Sequence, residues 1–188
     1  MKKILVVIDM QNDFIDGPLG TPEARAIVPN VCAKIRDEEW DVIIRTMDSH
    51  NDNLYVDSQE GQKLPVIHCV CKTDGWMINK EVSYAVDYAR LANVSEVLTN
   101  VKSKFGSEAL WNKIEPTYRY NDTEVHIVGV CTDICVITNA LLLKTHFPEM
   151  KIMVDASCCA GTTPEMHRKA LDVMRSCQID VITDGSEE

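Results

Sequence analysis

Asp9, Lys102 and Cys135 each lie at the end of, or shortly after, a short run rich in valine and isoleucine. A carboxylate, an ammonium and a thiol can together hydrolyse a small carbonyl compound: the thiolate attacks the carbonyl carbon, the carboxylate accepts the thiol proton, and the cation holds both anions in place. Taken alone, each residue also has an ordinary structural role, as a loop acid, a solvated lysine or a buried inert cysteine. The chemistry is therefore expected only if one fold brings the three side chains together.

The segment TNVKSKFGS leaves the choice of the lysine open. Lys102 and Lys104 are two residues apart, so their side chains point to the same side of an extended chain. By this spacing, either ammonium can reach a site shared with Asp9 and Cys135.

Cys135 follows the predicted strand VHIVGV, which continues through CTDIC into a helix that begins near Thr132. The first turn of a helix has free amides and the positive end of the helix dipole, and both favour a thiolate. Gly129 and the strand-to-helix turn also offer backbone amides to an oxyanion. The position indicates a nucleophile when it is combined with a nearby base and a nearby cation.

Four residues of the types that bind divalent metal ions lie in or next to one long polar connection, which runs from Asp48 to Lys80. They are Asp48, His50, Glu60 and His68. Carboxylate and imidazole together suit zinc, iron or manganese. The alternative is that these are solvated loop residues, but connections of this length in compact domains are often functional.

Alternating strand and helix patterns predict the elements that must position these residues. The predicted buried strands are Ile4–Ile8, Val42–Ile44, Glu96–Val101, Val125–Val130, Lys151–Val154 and Ile179–Ile182. The predicted helices are Pro22–Glu39, Asp133–Phe147 and Pro164–Ser176, the last one capped by Thr163. We expect a single α/β domain over residues 1–188, a three-layer sandwich with a central, mainly parallel sheet of about six strands flanked by helices. Ligands of such sheets bind at the carboxyl ends of the strands.

Charge and composition exclude several classes of function. The formal net charge is −10, so nucleic acid and anionic lipid surfaces are not expected partners. No apolar run reaches 18 residues, and the eight cysteines lack the spacing of a zinc ribbon or a redox motif. We expect a soluble, cytoplasmic protein with reduced thiols.

Three ordered motifs resemble those of the isochorismatase-like cysteine hydrolases, a superfamily that includes nicotinamidases, carbamoylsarcosine amidases and ureidoacrylate hydrolases. The motifs are IDMQNDF at Ile8–Phe14, KSKFGS at Lys102–Ser107 and GVCTDICV at Gly129–Val136. The resemblance spans nearly the whole chain. It implies a hydrolase of non-peptide carbon–nitrogen bonds that assembles as a homo-oligomer.

The resemblance also assigns roles to these residues. It implies that Asp9 is the general base and later the acid, that Cys135 is the nucleophile, and that the bond from Val130 to Cys131 is a cis peptide. The amides of Cys131 and Cys135 would stabilise the oxyanion. The family spacing from the lysine to an aromatic and a small residue favours Lys102, with Lys104 in reserve.

For the metal, the resemblance implies a divalent ion, zinc first, in the long connection. Asp48 and His50 match the family's Asp-x-His motif, and His68 matches its later histidine. The usual third histidine is missing. Glu60 is the expected substitute, and spacing leaves Asp52 and Asp57 open.

The expected substrate is a small amide, with nicotinamide first. Phe14 and Gln11 are the expected substrate-binding residues. The chain has Leu64, Pro65, Val66 and Ile67 where nicotinamidases commonly place an aromatic residue, so Trp76 or Trp111 would have to form another wall. The alternatives are a metal-free hydrolase of carbamoyl or ureido compounds, and a non-catalytic binding protein on the same fold.

Overall fold

Six parallel strands form the central sheet in the computed structural model, which describes residues 1–92, 94–115, 122–183 and 186–187 except for the side chains of residues 52, 53, 186 and 187. The strands are β1 Lys2–Ile8, β2 Val42–Asp48, β3 Glu96–Lys102, β4 Thr123–Val130, β5 Lys151–Ala160 and β6 Asp180–Thr183. A two-residue strand, β7 Ser186–Glu187, pairs antiparallel with β6. The strand order is β3-β2-β1-β4-β5-β6-β7, which places β1 and β4 at the centre.

Helices lie between most of the strands. They are α1 Asn12–Ile15, α2 Pro22–Ala26, α3 Val28–Asp37, α4 Asp52–Tyr55, α5 Gln59–Lys63, α6 Lys80–Ala92, α7 Ala109–Ile114, α8 Ile137–His146 and α9 Pro164–Ser176. A π-helical turn, Thr132–Val136, leads from β4 into α8. Within the described residues, no helix is long and apolar enough to cross a membrane.

The sheet is buried on both faces, which explains the continuous apolar runs of its central strands. Leu5 and Val7 of β1 face one core, in which the sheet packs against α3 and α6. Ile4 and Val6 face the opposite core, in which it packs against α8 and α9. The predicted three-layer α/β fold with a mainly parallel sheet is confirmed.

Two helix predictions need correction. The helix predicted over Pro22–Glu39 is two helices, because Pro29 lacks the amide hydrogen that a continuous helix needs and its ring would clash with the preceding turn. The end of the polar connection leads into α6, which the sequence reading did not predict, although its buried residues have helical spacing: Val82, Ala85, Val86 and Ala89. Helix α9 begins as predicted, and the hydroxyl of Thr163 accepts a hydrogen bond from the amide of Met166 at 3.1 Å.

Candidate active site

The carboxyl ends of four neighbouring strands bring the candidate residues to one edge of the sheet. Asp9 follows the last residue of β1, while Asp48 ends β2 and Lys102 ends β3. Asp48 and Lys102 are partners in the parallel register of β2 and β3. Cys135 lies in the π-helical turn that follows β4. Since the strand order is β3-β2-β1-β4, the four residues are neighbours across the edge.

The ammonium of Lys102 contacts both of its expected partners. Its Nζ lies 2.6 Å from Oδ2 of Asp9 and 3.5 Å from Sγ of Cys135. All three residues are buried, with exposed fractions of 0% for Asp9, 6% for Lys102 and 7% for Cys135. Lys104 is exposed, because β3 ends at Lys102 and the chain bends away before it reaches Lys104. The expectation that both lysines point to the same side is therefore wrong.

Burial and charge together set the protonation of these groups. Burial raises the pKa of Asp9, and the nearby Lys102 ammonium offsets only part of that rise. Burial also raises the pKa of the Cys135 thiol, and the negative charge of Asp9 adds to this effect. Burial alone would lower the pKa of Lys102, but the charges of Asp9 and Cys135 raise it. These directions favour a protonated thiol and an ammonium, beside a carboxyl group whose proton affinity is increased.

Thr46 fixes the orientation of Asp9 and was not singled out from the sequence. Its hydroxyl donates to Oδ1 of Asp9 at 2.6 Å and accepts a hydrogen bond from the Asp9 amide at 3.1 Å. Asp9 has a positive φ of 48°, a conformation that is uncommon for a residue with a side chain. β2 is buried along nearly its whole length, so its pattern of residues gave no signal for this contact.

The turn that bears Cys135 is tied to the lysine segment by Asn139, which was also missed. The side-chain amide of Asn139 donates to the carbonyl of Cys135 at 2.7 Å and to that of Phe105 at 3.1 Å, while its oxygen accepts from the amide of Ser107 at 2.9 Å. The signal in the sequence was a polar amide in the apolar helix VITNALLLK, because a buried amide must be hydrogen-bonded. At the start of the same turn, the peptide bond from Val130 to Cys131 is cis.

Three of the four candidate metal ligands converge next to this site. The ligand atoms of Asp48, His50 and His68 all lie within 4.8 Å of one another. Oδ2 of Asp48 is 2.9 Å from Nε2 of His50 and 3.6 Å from Nε2 of His68. Oε1 of Glu60 lies outside this group, 3.9 Å from Nε2 of His50. Asp57 is exposed, and the side chain of Asp52 lies outside the described residues.

The donor set fits a divalent cation. Nδ1 of His68 lies 2.8 Å from the carbonyl of Val66, and a proton on that nitrogen leaves Nε2 free as a ligand. Burial alone would raise the pKa of Asp48, but hydrogen bonds from His50 and His68 hold it below its ordinary value. An ionised carboxylate and two imidazoles, all buried, form a set that zinc and similar ions prefer.

Gln11 was expected to bind the substrate, but its side chain bonds to the backbone of Asp48 and Trp76. Its side-chain amide donates to the carbonyls of Asp48 at 2.9 Å and Trp76 at 2.8 Å, and its oxygen accepts from the amide of Asp48 at 2.7 Å. Gln11 is fully buried, and these bonds occupy both ends of its side-chain amide. It positions the backbone of Asp48 and is not among the residues that line the cavity.

A cavity of about 300 Å³ lies beside Cys135. Its apolar wall is formed by Phe14, Leu19, Leu64, Phe105 and Ile134. At its polar end are Asp48, Glu60, His68 and Cys135. Phe14 lines the cavity as expected and packs against the ring of His68, with 5.5 Å between the ring centroids. The lining does not include Trp76 or Trp111, and Trp111 instead stacks on His146.

Known proteins resemble this chain in sequence and in fold. The model of the isochorismatase domain family matches residues 3–185. The nicotinamidase of Saccharomyces cerevisiae is 24% identical, and the match covers 96% of this chain and 99% of that protein. The crystal structure of a nicotinamidase from Bacillus subtilis has a TM-score of 0.74 at 26% identity, over 96% of this chain and 99% of that one. The pyrazinamidase of Pyrococcus horikoshii, solved in complex with zinc, has a TM-score of 0.72 at 24% identity, over 97% and 99%.

Proposed function

The chain belongs to the isochorismatase family and is an amidohydrolase, and we propose that it cleaves a small aromatic amide, nicotinamide first, with Cys135 as the nucleophile. The observation on which this proposal rests most is the position of the Lys102 ammonium, 2.6 Å from Asp9 and 3.5 Å from Cys135. A carboxylate, a cation and a thiol in contact form the unit that nucleophilic hydrolysis by cysteine requires. A protein that only binds ligands gains nothing from burying these three groups together, because each is costly to remove from water.

The proposed reaction has two halves. In the first, Asp9 accepts the thiol proton, the sulfur of Cys135 attacks the amide carbon, and the amides of Cys131 and Cys135 hold the oxyanion. Asp9 then gives its proton to the leaving nitrogen, so ammonia departs and a thioester remains. In the second half, Asp9 accepts a proton from water, the resulting hydroxide attacks the thioester, and the carboxylic acid leaves as the thiol is restored.

The electrostatics of the site support this role for Asp9. A group that must both accept and donate a proton works best when its pKa lies closer to the working pH than that of an ordinary aspartate. Burial raises the pKa of Asp9 in that direction. The raised pKa of the Cys135 thiol explains why a base must be adjacent to it.

We propose that Asp48, His50 and His68 would hold a divalent ion, with Glu60, 3.9 Å from His50, as a further candidate ligand. When bound, the ion would offer a coordination position to a ring nitrogen or carbonyl oxygen of the substrate. Its proposed task is orientation, because Cys135 supplies the nucleophile. The buried ligand atoms within 4.8 Å of one another support this assignment, as does the zinc complex of the Pyrococcus horikoshii pyrazinamidase.

An aromatic substrate is favoured by the cavity and by the relatives. Phe14 provides one aromatic wall, and Phe105 lines the same space. Leu64, which lies in the segment where nicotinamidases commonly have an aromatic residue, gives this cavity an aliphatic wall in that region. We infer that ring contact is made mainly by Phe14, and that the cavity accepts ring amides other than nicotinamide as well.

The test is ammonia release from a panel of ring amides, aliphatic amides, carbamoyl compounds and ureides, with and without a chelator. We expect release from nicotinamide that stops in the Cys135→Ala variant and persists in Cys177→Ala, which alters an exposed cysteine. Release from carbamoyl or ureido compounds alone, unaffected by the chelator, would replace this proposal with the metal-free alternative. A chain that hydrolyses nothing in the panel would be a binding protein.

We further propose a cytoplasmic homo-oligomer. All eight cysteines are free, as expected in a reducing compartment. Tyr84, Tyr88 and Leu91 lie on one face of α6 with exposed fractions of 62%, 61% and 88%, an apolar stripe of the kind that assembly covers. Light scattering after gel filtration measures the mass of the wild type and of Leu91→Glu. A wild-type protein that is already a monomer, with the same mass as the variant, would refute the assembly.

A further inference from the structure

Two successive residues of the π-helical turn that bears Cys135 bond to the segment that joins β5 to α9 and begins α9. Thr132 is fully buried, and its hydroxyl lies 2.8 Å from Nδ1 of His167. The next residue, Asp133, accepts hydrogen bonds from the amide of Thr162 at 2.8 Å and from its hydroxyl at 2.6 Å. Two adjacent residues of the turn are thus bonded to the connection before α9 and to the start of α9.

Close packing at Gly161 makes this attachment tight. A Cβ atom at position 161 would lie 2.8 Å from Oδ1 of Asp133 and 2.8 Å from the amide nitrogen of His167. Cβ atoms are almost never found at such distances, so the connection packs directly against the side chain of Asp133 and the start of α9. His167 itself lies in the first turns of α9 and is not among the residues that line the cavity.

The position of Thr132 gives this contact a consequence for the reaction. Thr132 directly follows Cys131 and lies three residues before Cys135, so it lies between the two amides assigned to the oxyanion. Cys131 directly precedes this five-residue turn and Cys135 lies within it, so we expect a shift at Thr132 to move both amides. Displacements of about 1 Å at such donors are enough to cost as much as 100-fold in rate.

We propose that His167 is a positioning residue of this active site, which acts through the hydroxyl of Thr132 to hold the amides of Cys131 and Cys135 where the oxyanion forms. The inference rests on the proposed function, because it assumes a reaction that passes through a tetrahedral oxyanion. His167 touches no reacting atom. Its contribution belongs to the transition state, so it should affect kcat and leave substrate binding nearly unchanged.

The test compares His167→Leu, His167→Asn and Thr132→Val. Leucine removes the hydrogen bond, whereas the side-chain amide of asparagine can restore a polar atom near the position of Nδ1. We expect kcat for ammonia release to fall about 10-fold in His167→Leu, with KM changed less than about 2-fold. His167→Asn should recover most of the loss, which a merely structural role of the imidazole ring would not produce.

Two further variants sharpen the comparison. Thr132→Val keeps the shape of the side chain and should show the same loss of kcat as His167→Leu, with no further loss in the double variant, because both remove one contact. If His167→Leu fails to fold, Thr132→Val still shows whether loss of this contact lowers kcat. His146→Leu replaces an exposed histidine at the end of α8 and should leave kcat unchanged.

A second assay separates this inference from the proposed substrate. Acylation of Cys135 by p-nitrophenyl acetate also passes through an oxyanion, and its burst of p-nitrophenol, corrected with Cys135→Ala, should fall in parallel with kcat. If the wild type gives a burst of p-nitrophenol but releases no ammonia from the amides, the proposed substrate class is refuted. The burst of the His167 variants then still tests the role of His167. Full kcat and full burst in His167→Leu, equal losses in the Leu and Asn variants, or no burst in the wild type would each overturn the inference.

Discussion

Lys102 is the residue that joins the parts of the candidate site. Its Nζ lies 2.6 Å from Oδ2 of Asp9, 3.5 Å from Sγ of Cys135 and 3.7 Å from Oδ1 of Asp48. One ammonium therefore faces the proposed base, the proposed nucleophile and one proposed metal ligand. Its removal would leave negative charge without compensation in a buried space, where charge is least well solvated.

Lys102→Met and Lys104→Met form a matched pair, since the two lysines are two residues apart and only Lys102 is buried. We expect Lys102→Met to lower kcat/KM about 100-fold or more, the scale of a lost electrostatic contact to developing charge. Lys104→Met should stay near the wild type, because Lys104 is exposed beyond the end of β3. Steady-state ammonia release measures both, and an equal loss in the two variants would contradict the assignment.

The raised pKa of Asp9 predicts the acid side of the pH profile. Asp9 must be ionised to accept the thiol proton, so kcat/KM should fall as the pH drops through the pKa of Asp9. Because burial raises that pKa above the ordinary value of 3.8, the fall should begin at a higher pH than an exposed aspartate would give. Asp9→Asn should lower kcat/KM about 100-fold or more and abolish this acid limb. A wild-type midpoint at or below 3.8 would count against Asp9 as the base.

Whole elements were predicted more reliably from the sequence than the contacts between them. The strand ends that supply Asp9 and Lys102 follow from apolar runs, because buried parallel strands have little alternation. The predicted strand Val42–Ile44 is too short, since β2 continues to Asp48. The roles of Thr46, Asn139 and Gln11 depend on hydrogen bonds that include long-range ones, which span 32 to 65 residues of the chain. No local pattern identifies such partners. The position of Lys104 was predicted wrongly, because the end of a strand is set by its pairing with the neighbouring strand.

Asn139 connects α8 with the segment that follows β3, and its replacement tests the importance of that connection. Asn139→Leu would leave the amide of Ser107 and the carbonyls of Cys135 and Phe105 without this partner. We expect a loss of stability of about 1–3 kcal/mol for the buried unpaired groups, together with a lower kcat. Asn112→Leu alters an exposed residue of α7 and should change stability by less than about 0.5 kcal/mol. Urea unfolding measures both, and equal changes would refute this role.

A buried ion pair attaches α3 to β5. Neither of its residues belongs to the candidate site. Nζ of Lys34 lies 2.8 Å from Oδ2 of Asp155, and both side chains are 6% exposed. Lys34→Met would leave Asp155 without its cation, at a cost of about 3–5 kcal/mol. Lys169→Met, which breaks an exposed pair with Glu165, should cost less than about 1 kcal/mol. Similar losses in the two variants would contradict this account.

The same pair predicts how stability depends on pH. Burial alone would raise the pKa of Asp155, but Lys34 and Ser157 hold it below the ordinary 3.8. A carboxyl group with a lowered folded-state pKa stabilises the fold above its unfolded pKa of about 3.9, and that contribution is lost as the pH falls through the folded value. Unfolding free energy should therefore drop in acid in the wild type and drop less steeply in Lys34→Met. Equal slopes of unfolding free energy against pH in the two proteins would exclude Asp155 as a source of this pH dependence.

For the whole molecule, a bound ion is expected to join the end of β2 to the connection that follows it. Asp48 ends β2, whereas His50 and His68 belong to the connection that follows, so an ion on all three would exist only in the folded state. Ligands that bind only the folded state raise stability, by about 2.7 kcal/mol at 100 times their dissociation constant. We expect purified protein to contain a divalent ion and to melt at a lower temperature after chelation.

The variant that tests this expectation is His50→Ala, with His146→Ala as the matched control because His146 is exposed and distant in sequence from the cluster. His50→Ala should lose the ion by elemental analysis, lose the thermal shift on adding zinc, and raise KM for a ring amide if the ion orients the substrate. Asp9, Lys102 and Cys135 remain in place in this variant, so Cys135 should still be acylated by p-nitrophenyl acetate. Loss of that acylation together with the ion would mean that the three ligands support the fold of the site, and that the effect on KM could not be assigned to the metal.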